Sequence, residues 1–187
     1  MTKDELKIIL EKHKRWIKGD KEGVRANLSG ANLKNADLSG TYLSGVNLSG
    51  VDLENANLVD VNLSYANLKS ADLSGANLMD AYLSGAYFEG ADLRGADLSG
   101  ANLNYANLEN ATLTGANLRR AYLEDANLMG ANLRDADLRD AGLRCANLRG
   151  ANLTGTKFEG AIMTDSVWRI VCLAKEKNYE NVYRSIG

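Results

Sequence analysis

The chain has 187 residues, with 22 Lys+Arg against 24 Asp+Glu, a formal charge of −2 and no proline. Such a balance supplies no global basic field to attract nucleic acid or an anionic membrane, and no apolar run approaches the roughly 18 residues of a membrane span. Cys145 and Cys172 are too few for a disulfide scaffold and form no C-x-x-C, so they read as two reduced, unreactive thiols.

The first residues, Met1 to Glu5, are charged and lack the apolar run of a signal peptide, which predicts a cytoplasmic protein. Thr2 and Glu5 have the spacing of a capping box. Leu6, Ile9, Leu10, His13, Trp16 and Ile17 follow at helical spacing, predicting an amphipathic helix over about 4–18 with one apolar stripe. Lys12, Lys14, Arg15 and Lys18 suit its C-terminal end, and Gly19 its stop. A basic amphipathic helix also suits membrane or partner docking. Its place directly before a repeat array favours an end cap, with Leu6, Ile9, Leu10, Trp16 and Ile17 as the covering side chains.

From Leu28 to Met163 a bulky apolar residue returns at every fifth position, 28 times: 25 Leu, with Phe88, Phe158 and Met163. Two residues before each stands a small residue, Ala in 23 units and otherwise Thr41, Val46, Val51, Val61 or Thr156. A five-residue step turns an α-helix by about 140° net, scattering the leucines round the cylinder. In a straight strand it alternates them between faces. Only a chain that turns a corner in each unit collects both residues inside. If four units close a coil, 28 units make seven coils and a rod of about 34 Å at the β-ladder spacing. Gly at many final positions suits positive φ or close approach at corners. Asn and Asp in second positions suit turn or ladder hydrogen bonds. No unit is inserted or skipped, so no loop is expected to project.

The run Ala26-Asn-Leu-Ser-Gly-Ala-Asn-Leu-Lys-Asn resembles the pentapeptide-repeat family over about three quarters of the chain. The resemblance implies an all-β solenoid, a right-handed quadrilateral β-helix whose central residue and the residue two before it point inward. It divides the chain into a capping helix and lead-in (1–25), the repeat array (26–165) and a C-terminal segment (166–187). Some relatives act as DNA mimics that bind DNA gyrase, others in cyanobacterial signalling or differentiation, and related proteins often pair at their C-terminal ends.

After Asp165 the period stops. Val167, Trp168, Ile170, Val171 and Ala174 predict a short helix with Asp165 or Ser166 as N-cap, and Tyr179, Val182, Tyr183 and Ile186 a second. Val167, Trp168 and Val171 are the expected cap. An uncovered last coil would expose about four large apolar side chains, costing on the order of 6–12 kcal/mol at 1.5–3 each. It would also leave a bare β edge. Pairing of two chains through this tail is the alternative, so the chain is expected as a monomer or a C-terminally paired homodimer.

No nucleophile–base–orienter set, phosphate loop or metal-ligand spacing occurs, so neither an enzyme nor a cofactor or metal site is expected. His13, the one histidine, reads as a packed structural side chain. Two outward patterns depart from the consensus. Tyr42, Tyr82 and Tyr122 share one face at 40-residue intervals, with Tyr65 and Tyr105 on the same face in intervening coils. These five form a candidate interaction face, although repeat duplication leaves the same two-coil period. Arg119, Arg120, Arg134, Arg139, Arg144 and Arg149, with Arg94 earlier, form a candidate charged belt; interspersed Asp and Glu make it a solvated mixed-charge surface before a phosphate site. The expected function is a non-catalytic structural or protein-interaction module presenting a rigid rod surface. Its partner is unnamed, and no direct nucleic-acid or membrane binding is expected. Residues 26–165 hold 17 Asp+Glu and 10 Lys+Arg, a charge of −7. DNA of that length carries about 20, which counts against the mimic.

Overall fold

The computed structural model describes residues 2–173. Helix α1, Lys3–Ile17, opens on the expected capping box: the Glu5 N–H donates to Thr2 Oγ1 (3.2 Å) and the Thr2 N–H to Glu5 Oε2 (2.7 Å). It stops at Gly19, where φ is 74°. Beyond it the chain winds in coils of four units. Each second-position residue bridges in parallel to its equivalent in the next coil, from Asn27↔Asn47 to Asp137↔Lys157. The ladder ends in two short strands, β1 (Gly142–Leu143) and β2 (Ile162–Met163), in the same parallel register.

The five-residue beat becomes a corner by one recurring turn. In the unit of Leu98, the Leu98 C=O accepts from the Ala101 N–H (3.1 Å), and Gly100 between them has φ 69°. A positive φ at the third residue of a four-residue turn is the type II form. Every fifth-position residue from 30 to 160 adopts it, 13 of them not glycine, among them Tyr65, Tyr105, Arg120 and Cys145. The expectation of glycine at corners was therefore too narrow: the ladder imposes the left-handed conformation whatever the side chain. Coil joins coil through three bonds per unit, one of them from the Gly100 N–H to the Arg119 C=O (2.9 Å). The Leu98 N–H donates to the Asn117 C=O (2.7 Å), and the Asn117 N–H to the Ala96 C=O (2.9 Å).

Inside this frame the paired small residue and leucine fill the rod without a gap in sequence. Leu28 through Leu153 and both phenylalanines are buried, as are the small partners from Val46 to Ala146. Second-position amides do both things expected of them. Asn47 Oδ1 accepts from the Ser49 N–H (3.2 Å), while Asn47 Nδ2 donates to Asn27 Oδ1 one coil away (2.9 Å).

The ends are covered unevenly. Leu6, Ile9 and Leu10 pack on the core and His13 is fully buried, its Nδ1 accepting from the Ala26 N–H (3.1 Å). Trp16 and Ile17, expected on the covering side, are instead 40 % and 41 % exposed. Trp16 stacks on His13 at 5.4 Å and faces Arg25 at 5.9 Å, with its ring edge beside Gly45, so it roofs the histidine at the rim of the first coil. At the other end residues 165–173 form helix α2. Its N-cap is Thr164, one residue earlier than expected, because the Trp168 N–H donates to the Thr164 C=O (2.9 Å). Val167 and Val171 are buried; Trp168, expected to join them, is half exposed. Tyr179, Val182, Tyr183 and Ile186 lie outside the described residues.

Corner chemistry predicts a graded glycine response. Gly115 has φ 67° and open space around it, so Gly115→Ala should cost only the left-handed backbone, about 1–2 kcal/mol. Gly155→Ala should cost more, because the new Cβ meets the Asp135 carboxylate. Thermal or denaturant unfolding of both variants measures the order, and equal costs would contradict it. The buried histidine adds a pH response. Desolvation lowers the His13 pKa; the Ser44 backbone opposes this, and the Arg25 charge adds to it. The folded state holds the neutral ring, so stability is full above the ordinary value of 6.5 and is lost as pH falls below it toward the lowered value. Melting followed by tryptophan fluorescence should be flat above that value and decline as pH falls below it. His13→Gln should remove the decline.

Candidate interaction surface

With four units to a coil the rod has four faces, numbered by the units that begin at Ala26, Ala31, Ala36 and Thr41. On each, the second, fourth and fifth residues of a unit point outward. The fourth face carries all five predicted tyrosines. Tyr42, Tyr82 and Tyr122 alternate with Asn62 and Asn102 along one column of bridges, and Gly142 continues it. Tyr65 and Tyr105 stand at the following corner. All five are more than half exposed. Tyr65 lies flat over the next coil, close to where a Cβ on Gly85 would stand.

The side chains between the tyrosines form no part of the sequence expectation. From Tyr42 to Tyr122 the 13 outward positions of this face hold only Tyr, Ser, Asn and Gly, and the first charges are Glu124 and Asp125. Over the same coils each other face carries both signs of charge. The signal is legible in the sequence once every outward position is sorted by face, not the aromatics alone. A sixth exposed tyrosine, Tyr87, is likewise absent from that expectation. It stands on the first face, with Lys69 Nζ 5.8 Å from its ring centroid.

Between Tyr82 and Tyr122 the surface opens into a shallow groove of about 730 Å³. Asn102 and Asn104 line it, with Asp60, Asp80, Gly100 and Arg120 from the corner shared with the third face. The corner residue beside the groove is Gly100, which lets the Asp80 carboxylate lie over its backbone.

The arginines do not gather. Arg134, Arg139, Arg144 and Arg149 occupy the fourth position of successive units, hence one on each face, and encircle the rod. Arg139 forks onto Asp137, with Nε to Oδ1 at 2.8 Å. That pair lowers the Asp137 pKa to about 2, chiefly through the Arg139 hydrogen bonds. Arg134 reaches Asp135 (3.2 Å). Arg119 lies on the third face beside Met79 and Asp80. Asp52, Glu54 and Asp72 cluster on the second face, where Lys34 Nζ lies 2.6 Å from Glu54 and 3.6 Å from Asp52. A lysine thus already supplies the cation there. Cys145 is exposed at a fourth-face corner and Cys172 half-buried.

Among the described residues no helix is long and apolar enough to cross a membrane. No curated protein sequence is significantly similar to the chain. A family model described as pentapeptide repeats matches residues 24–60, 56–95, 91–130 and 131–167. Among solved structures the chain resembles HetL, a pentapeptide repeat protein involved in heterocyst differentiation regulation from the cyanobacterium Nostoc. The two are 36% identical over 74% of this chain and 77% of that one, with a TM-score of 0.50. It also resembles a pentapeptide repeat protein of the Arabidopsis thaliana thylakoid lumen (38% identity, 60% and 72% covered, TM-score 0.39). QnrB1, a plasmid-mediated fluoroquinolone resistance protein, matches at 20% identity, with 82% and 91% covered and a TM-score of 0.43. The chain belongs to the pentapeptide-repeat family and folds as a right-handed quadrilateral β-helix.

Proposed function

We propose that this protein is a non-catalytic protein-interaction module whose contact surface is the fourth face. Members of its family are generally structural or interaction modules. The observation that carries the reading is the uncharged run of Tyr, Ser, Asn and Gly from Tyr42 to Tyr122. Antibody loops use the same four residue types, because tyrosine offers large contact area at small entropic cost and the short polar residues adapt their hydrogen bonds. Charge, which costs desolvation in an interface centre, is kept to the other faces.

A DNA-mimic role fits less well. A mimic needs dense negative charge along its contact surface, and the most distinctive face of this rod has none over four coils. A regulatory role of the kind named for HetL is compatible with a contact face.

A photoreactive side chain at Tyr105 on the fourth face should form protein adducts in cell extract. The same group at Arg94 on the second face should form few. Equal yields from the two positions would contradict the assignment.

A further inference from the structure

We infer that the fourth face is self-complementary, and that a second copy of this chain docks on it antiparallel with the tyrosine rings interleaved. The inference rests on the reading of this face as a contact surface and names its partner. Coils are about 4.8 Å apart, so Tyr42, Tyr82 and Tyr122, in alternate coils, stand about 9.6 Å apart. Within one chain that is too far for ring contact. A ring entering midway would lie about 4.8 Å from both neighbours, inside the roughly 4.5–7 Å range of aromatic pairs. The groove over Asn102 and Gly100 is such a gap. A visitor that fills every gap must present rings at the same two-coil repeat, and another copy of this chain does.

Symmetry then restricts the arrangement. Closed pairs of identical chains are related by a two-fold axis. An axis along the rods would set tyrosine against tyrosine at equal height. An axis across them runs the chains antiparallel and lets each ring meet a short residue. Two such registers overlap well. With the axis between the coils of Asn62 and Tyr82, Asp60 faces Asp80 of the second copy, twice. With the axis between the coils of Tyr82 and Asn102, Asp60 faces Arg120 of the second copy, twice, and the two Asp80 carboxylates, each lying over its own Gly100, stand on either side of the axis. The second register also places Tyr82 on Asn102, Tyr122 on Asn62 and Tyr42 on Gly142. Gly142 is the one glycine in any second position; its φ is not positive, and the Glu124 carboxylate of its own chain lies where a Cβ would stand. The Asp60–Arg120 pairs, against Asp60–Asp80 in the other register, select this one.

The area suffices. At 54–67 % exposure the five tyrosines offer about 600 Å² per copy, taking about 200 Å² for each side chain. Complete coverage of these rings would bury about 1,200 Å² in the pair, the lower bound of a specific interface, and the Asn, Ser and Gly between them add to it.

Sedimentation of the full chain over a concentration series tests the proposal, with circular dichroism melting as the folding control. The wild type should reach a dimer. Tyr82→Asp and, independently, Tyr122→Asp should give folded monomers, since both positions are exposed. Arg120→Asp should weaken pairing at least about tenfold, and the double variant Asp60→Arg, Arg120→Asp should restore it. A wild type that stays monomeric would overturn self-pairing. So would a dimer indifferent to both tyrosine variants, as pairing through the C-terminal ends would be, or a charge swap that fails to rescue. A monomer that still forms adducts from position 105 would overturn only the self-pairing and leave the contact face in place. A dimer sensitive to Tyr82 supports both.

Discussion

The structure depends on one turn, repeated: the leucine carbonyl of each unit accepts from the N–H three residues on, across a fifth position held at positive φ. This turn supplies the corner that makes a five-residue beat compatible with a common inside. Four corners bring the chain back over its own path, where each leucine N–H finds a carbonyl of the next coil, as Leu98 finds Asn117. Burial of the leucine and its small partner is the driving force, but it can act only because the corner aims both inward. The 13 non-glycine corners show the order of strength: the ladder and the core together override an unfavourable backbone conformation for Tyr105 and Arg120.

The same register converts sequence into columns, and columns explain how much of the fold is legible in the sequence. The inward residues and the need for a corner in every unit follow from periodicity, because a slip by one residue would expose a whole column of leucines; the four-unit coil follows from the family resemblance. Helix α1 was legible from its capping box. The orientation of its last turn was not: Trp16 fits the helical stripe, yet its ring stacks on His13 one turn earlier and under Arg25, which the chain brings back over the helix after Gly19. Trp168 is exposed because Val167 and Val171, four residues apart, set the buried face of α2, and the residue after Val167 is turned about 100° from it. The arginine belt looks like a patch in linear order and is a ring in space, because successive units point to successive faces.

Charge on the rod is mostly settled locally. Lys34 lies among Asp52 and Glu54, Arg94 on Asp92, and Arg139 on Asp137, each within a coil or across one step. Such exposed pairs add little stability and are weakened by salt. Their consequence is negative: they leave the first three faces without a distinctive pattern of their own. The fourth face departs from them in composition, relief and period. Its tyrosines alternate with amides, so its surface is ridged at twice the coil rise, while Tyr87 on the first face stands alone beside a lysine.

Tyrosine footprinting by hydroxyl radicals and mass spectrometry tests the central claim, that the fourth face is the contact surface, most directly. At concentrations where the protein is engaged with its partner, Tyr42, Tyr82 and Tyr122 should be protected relative to the dilute protein, while Tyr87 reacts equally in both. Uniform reactivity of all four rings, or protection of Tyr87 in place of the others, would contradict it.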